Sequence, residues 1–237
     1  MIKVLAVIFM TIDHIGWELF PEIRVLHILG RISLPLFAYM IAEGTYYTRN
    51  KARYFSLIFA LGICFQIVYY VALESAYMGI FITFSTSILM IYALQFFKSK
   101  LFYGDYFQKA YSFLLFATTV VGTYFLNKYC ELDYGFWGCM LPVFASLLSV
   151  NVADEKGEKS VKFNCVPVNL VPFAIGLTLL AVCYADRLAG IQYYSFLALP
   201  ILLLYSGKRG KRNMKYFFYA FYPAHLVVIY GISMLMK

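Results

Sequence analysis

Residues Phe55–Val71 read FSLIFALGICFQIVYYV, a run without a single charged side chain. As a helix it would rise about 25 Å, close to the roughly 30 Å of a bilayer's hydrocarbon core. Its apolar residues lie on every side. A surface helix of a soluble domain keeps a polar face, and a lipid-facing strand alternates over about ten residues. Neither pattern fits. A chain surrounded by lipid must satisfy its backbone hydrogen bonds internally, so the run is predicted to be a transmembrane helix.

Working outward, runs of the same kind recur between short polar clusters. The predicted spans are 3–20, 29–47, 53–73, 79–97, 109–127, 133–150, 167–185, 191–206 and 214–236. The fold class is therefore an all-α polytopic transmembrane bundle of about nine spans, with residues 1–237 as a single domain. The composition agrees. The chain is 62% hydrophobic and 14% charged, with mean hydropathy +0.74, whereas soluble domains are about half apolar and about a quarter charged. A soluble fold is excluded.

The net charge of +8 does not indicate nucleic acid, because Lys and Arg sit in the loops, where they set membrane orientation. Arg49, Lys51 and Arg53 follow the second span, Lys98, Lys100 and Lys109 the fourth. Lys156, Lys159 and Lys162 follow the sixth, and Lys208, Arg209, Lys211, Arg212 and Lys215 the eighth. Intervening loops hold Glu74, then Lys128 with Glu131 and Asp133, then Asp186 with Arg187. The positive-inside bias places the amino terminus in the cytoplasm and the carboxyl terminus outside. Residues 151–166, NVADEKGEKSVKFNCV, form the only sizeable hydrophilic loop and read as a solvated cytoplasmic connection.

The first span carries Asp13 and His14 and lacks a small-residue cleavage site, so it is expected to stay as a permanent segment rather than a signal peptide. Cys64, Cys130, Cys139, Cys165 and Cys183 form no CxxC pair and no Cys/His cluster. No metal is expected, and a Cys130–Cys139 bridge is left open. The 22 Tyr and 23 Phe crowd span ends such as Tyr69, Tyr70, Tyr193 and Tyr194, where interfacial anchoring accounts for them.

Ionisable groups inside a span are costly and mark sites by default. Asp13 and His14 lie in the outer half of the first span. Neighbouring residues on a helix point about 100° apart, so they face different partners while both edge one cavity. A buried imidazole can act as a general base with a carboxylate supporting it; the plainer reading is packing against other helices. Arg31, at the outer start of the second span, is either a side chain snorkelling to the interface or a fixed cation for a developing oxyanion. Pro35 is tolerated in the first turn. Glu43, near the cytoplasmic end, is expected to pair with Arg49 or to act. In the last span Pro223 permits a bend that would present Tyr222 and His225 to a cavity. Gln66, Asp133 and Asn169 are weaker candidates, and Asp133 reads equally well as solvated. Nucleotide-binding and hydrolase motifs are absent, as are the paired broken helices of a secondary transporter.

Four motifs in order, Met10–Gly16 (MTIDHIG), Gly30–Asn50 (GRISLPLFAYMIAEGTYYTRN), Asp133–Gly138 (DYGFWG) and Lys215–Leu226 (KYFFYAFYPAHL), make the chain resemble the TraX family over essentially its whole length. That family is similar to the membrane acyltransferases that O- or N-acetylate cell-surface molecules, and is known for acetylating the amino terminus of conjugative pilin. The resemblance implies an acyl-CoA donor, acetyl-CoA or another, and an envelope or secreted peptide or glycan acceptor. It gives His14 the place of the early catalytic His, with Asp13 beside it and Arg31 in the second-span motif. Tyr222 and His225 fit the late motif. Tyr39, Glu43 and Asp133 join them as substrate-binding candidates, and basic Arg49, Lys51, Arg209 and Lys211 as groups attracting the donor's phosphates. Where the family pattern leads one to expect an Asn at the start of the fourth span, the chain reads MGIFITFS. The rival expectations are a proton-coupled transporter using Asp13, His14 and Glu43 as a relay, and a structural subunit of a membrane assembly.

Overall fold

The computed structural model describes residues 2–73, 77–154, 158–184, 190–207 and 215–236, with backbone alone at 69, 71–73 and 215–220. It is helical apart from one hairpin. The elements are α1 (Ile2–Glu18), α2 (Arg24–Gly30), α3 (Ser33–Tyr47), α4 (Lys51–Leu73), α5 (Ile80–Tyr103), α6 (Tyr106–Tyr129) and α7 (Gly135–Ser146). Then come β1 (Val150–Ala153), β2 (Ser160–Phe163), α8 (Val166–Cys183), a 3-10 helix (Ile191–Leu197), α9 (Ala198–Leu203) and α10 (Lys215–Met236).

Among the described residues five helical stretches are long and apolar enough to cross a membrane: Arg24–Tyr47, Lys51–Val68, Ile80–Tyr103, Tyr106–Tyr129 and Val166–Cys183. Shorter apolar helices cover Gly135–Ser146, Ile191–Leu203 and Phe221–Met236. The chain is thus an apolar helical membrane protein that folds as two compact units. One comprises Met1–Phe37 with Ala181–Lys237, the other Ala38–Leu180.

The second unit is built around α5, which packs against α4, α6, α7 and β1. Its core joins Ile82, Met90, Ile91 and Leu94 to Leu132, Cys139 and Val143. Side-chain oxygens start two helices: Asn50 accepts from the Arg53 amide at 2.8 Å, and Asp105 from the Gln108 amide at 2.7 Å, each satisfying an orphan N–H. At Gly62 of α4 a Cβ would stand 2.6 Å from Ile82 Cδ1, so the glycine is what lets α4 approach α5. The outward sides of α4 and α6 expose Phe59, Ile63, Ile67, Phe113, Leu114 and Val121, as helices bordering lipid do.

Both ends of α5 are clipped. At its start the Met78 amide donates to Glu131 O and the Asp133 amide to Met78 O, each at 2.9 Å, and the Thr83 hydroxyl donates to Asp133 O at 3.0 Å. At its far end Lys98 Nζ donates to Ser146 O at 2.8 Å and Ser149 O at 2.7 Å, with Gln95 Nε2 on Ser149 O at 3.2 Å. An ammonium over the last carbonyls of a helix satisfies orphan acceptors and opposes the dipole.

Four expectations change. The predicted span 133–150 is a helix of 12 residues, about 18 Å long. The segment 191–206 is a 3-10 turn followed by the six-residue α9. The solvated connection at 151–166 contains an antiparallel hairpin pairing Val150 with Phe163 and Ala153 with Ser160. Lys98, assigned to a loop, is buried inside α5. The five cysteines are free.

Candidate functional site

The first unit brings four ionisable side chains, Asp13, Arg31, His14 and His225, into paired contact. On α1, Ile2, Ala6 and Met10 form the buried stripe, and Ser33 Oγ donates to Ala6 O at 3.1 Å. Asp13 and His14 come one turn further on. As the 100° between neighbours requires, they meet different elements: Asp13 faces the end of α2, and His14 faces α10.

Arg31 closes α2. Pro35 lies four residues later and has no N–H for the Arg31 carbonyl, so the helix cannot run through unbroken. The Arg31 amide instead bonds His27 O and Ile28 O, and the Ile32 amide Leu29 O. The resulting turn directs Arg31 at Asp13. One guanidinium nitrogen, Nη2, donates to both carboxylate oxygens at 2.7 and 2.6 Å, with Arg31 only 5% and Asp13 13% exposed. A Cβ at Gly30 would overlap the Asp13 carboxyl. Only glycine leaves that volume to the ion pair.

His14 Nδ1 lies 2.9 Å from His225 Nε2, with ring centroids 5.0 Å apart and planes tilted by 36°. His225 is 6% exposed. Its Nδ1 is 3.0 Å from the carbonyl of Phe221, one turn back. The Phe221 ring stacks on it at 5.3 Å, and the Tyr222 ring meets it edge-on at 5.4 Å. Of the two residues on either side of Pro223, His225 is set against His14 and Tyr222 against His225.

Two expectations are corrected here. Arg31 does not snorkel to the interface; it is buried against Asp13. Asp13 does not support the His14 ring; its carboxylate is engaged by Arg31, and His225 occupies the position beside His14.

The remaining described candidates belong to the other unit. Tyr39 is a core residue, 1% exposed, with its ring edge-on to Phe173 of α8 at 5.7 Å. Glu43 Oε1 accepts from Asn164 Nδ2 at 2.8 Å, and Asn164 Oδ1 from Asn169 Nδ2 at 2.6 Å. Asp133 accepts from the Tyr77 hydroxyl and belongs to the clip at the start of α5. Arg49 and Lys51 are exposed, with Lys51 Nζ over the Tyr92 ring at 5.5 Å. Arg209 and Lys211 lie outside the described residues.

Sequence reasoning missed two residues. Gly30 was read only as part of a motif. His27 is buried between Trp17, whose ring meets it at 4.7 Å, and Pro21 O, 3.2 Å from its Nε2. Three residues before Gly30 on a short helix, it had no span of its own to mark it.

Two imidazoles, a guanidinium and a carboxylate thus meet where α1 packs against the α2–α3 turn and α10. The family model described as TraX protein matches residues 1–233. The chain belongs to the TraX family. This TraX protein is 25% identical over 256 residues to the "Probable fimbrial assembly protein FimC, serogroup H1" of Dichelobacter nodosus, covering 100% of this chain and 96% of that one. It is 43% identical over 67 residues to an uncharacterized protein of Rickettsia prowazekii (strain Madrid E), 28% of this chain and 25% of that one. No solved structure matches this TraX protein significantly.

Proposed function

We propose that this TraX protein is an acyltransferase of the plasma membrane, moving an acetyl or other acyl group from acyl-CoA to an amine or hydroxyl of an envelope or secreted acceptor. The observation that carries the reading is His14 hydrogen-bonded to His225 one residue from the buried Arg31–Asp13 pair. The family and the name of the Dichelobacter nodosus relative make a pilus subunit the acceptor class of choice.

In the proposed reaction His14 takes the proton of the acceptor's N–H or O–H as that atom attacks the thioester carbonyl. The C–S bond breaks, and the proton passes to the departing sulfur. Arg31, fixed by Asp13, is a preorganised donor for the oxyanion between those steps. Tyr222 borders the His pair and contacts substrate. Arg49, Lys51 and Arg209 attract the phosphates of coenzyme A. Multi-pass insertion with nine spans, amino terminus inside and carboxyl terminus outside, lets a cytoplasmic donor meet an external acceptor. The chemistry as written uses no metal.

The test is coenzyme A release by the purified protein in detergent, given acetyl-CoA and acceptor peptides or glycans. Wild type is expected to release thiol in step with acylated acceptor. His14→Ala is expected to lose at least about 100-fold, the lower range for a positioned base, while keeping the wild-type circular dichroism and melting temperature. Equal release by the folded variant removes His14 from the reaction. Solute flux in proteoliposomes lacking coenzyme A would instead establish the transporter.

A further inference from the structure

Two hydrogen bonds in series determine where the proton sits on each imidazole. The Phe221 carbonyl can only accept, so at 3.0 Å the facing His225 Nδ1 must carry hydrogen. A neutral His225 then has its lone pair on Nε2. That lone pair faces His14 Nδ1 at 2.9 Å, so His14 Nδ1 must be the donor. The lone pair of His14 is left on Nε2. The alternative tautomer of His225 would set a ring lone pair against the lone pairs of a carbonyl, and two doubly protonated rings would set N–H against N–H.

We infer that His225 is a positioning residue that fixes the tautomer of His14 and leaves Nε2 of His14 as the proton-accepting atom. This reassigns His225 from substrate contact to support of the base, the part a carboxylate plays in hydrolytic triads. Asp13 does not play it: its carboxylate is turned to Arg31, and His14 Nδ1 faces His225 instead. The ring of His225 is itself held in plane by the Phe221 stack, parallel to within 6°, and by the edge of Tyr222.

The proton inventory balances over one turnover. The acceptor's hydrogen moves to His14 Nε2 as its nitrogen or oxygen bonds the acyl carbon. The single positive charge is then shared along the Nδ1–H···Nε2 bond between the two rings. The same proton leaves Nε2 for the sulfur of coenzyme A as the C–S bond breaks, and the pair returns to its starting state. The aromatic face of Phe221 and its carbonyl both favour His225 while charge is shared.

The tautomers can be read without any turnover, and this arm does not depend on the acyltransfer reading. The chain has 3 histidines, so the 15N spectrum of protein labelled at histidine is small, with His27→Gln for assignment. His14 and His225 are expected protonated at Nδ1 and unprotonated at Nε2. His27 is expected reversed, since its Nε2 faces Pro21 O. A His14 ring protonated at Nε2 overturns the inference. The kinetic arm rests on the proposed function and compares His225→Leu with His225→Gln, whose side-chain oxygen can still accept from His14 Nδ1. The Leu variant is expected to lose about 100-fold in kcat with KM for acyl-CoA unchanged, and the Gln variant to recover at least about tenfold of that. Equal loss in both, or a loss appearing in KM, makes His225 a packing or substrate residue and overturns the assignment. Should wild type transfer no acyl group, the proposed function fails, and the spectrum alone still decides the tautomer.

Discussion

Gly30 and Asp13 compete for one volume, and this is the sharpest constraint on any single side chain of the site. Gly30→Ala pushes the carboxyl away from Arg31. Acyl transfer is expected to fall at least about tenfold, since small misplacements near a reacting centre cost about that or more, whereas Gly122→Ala, with open space around it, should leave activity intact. Kinetics of the two variants side by side check this. Asp13→Ala leaves a guanidinium buried without its carboxylate, a loss of about 3–5 kcal/mol. Replacing both partners, Asp13→Leu with Arg31→Met, should restore most of that stability without restoring activity, which melting and thiol-release assays separate. At this scale the sequence was partly legible. An Asp and a His in an apolar span had to have partners, and 100° of helix rotation said the partners would differ. Which partners they were depends on the docking of α10 on α1, 211 residues away in sequence, and no local pattern encodes that.

Helix lengths were less legible than helix existence. Leu147, Leu148 and Val150 prolong the apolar run after Ser146, so hydropathy extended α7 beyond its end. Its end is capped by the Lys98 ammonium, which donates to the Ser146 carbonyl and to Ser149 O just beyond it, a contact from another helix. Lys98→Met takes the charged donor from both carbonyls while Ser149 Oγ and Gln95 Nε2 stay on them, so stability should fall by about 1–3 kcal/mol in all, read as earlier melting with the proposed activity intact. The hairpin was legible after all. Val150 and Val152, then Val161 and Phe163, alternate with polar or small residues, a two-residue period hidden by attention to the charges between them. The turn at Arg31 was legible too, from Pro35, but the proline was read as tolerated when in fact it breaks the helix. Pro35→Ala is expected to let the helix continue through 31–32 and to depress acyl transfer more than it depresses melting temperature.

For the molecule as a whole, the membrane class followed from one uncharged run and its repetition, because burial of backbone polar groups in lipid leaves few alternatives. The proposed orientation, with the amino terminus inside, makes a testable statement. In a chain stripped of native cysteines, Lys128→Cys should react with an impermeant maleimide in intact cells, while Asn50→Cys and Lys159→Cys should react only after permeabilisation; the reverse pattern inverts the orientation. The brevity of α7 has a consequence for how the protein is made. A 12-residue helix is too short to be retained in the bilayer as an independent segment, so the insertion machinery must hand it directly to helices already there. α5 leaves the ribosome first and carries Lys98, and α7 follows it. Synthesis from the amino end thus delivers the cap before the helix that requires it.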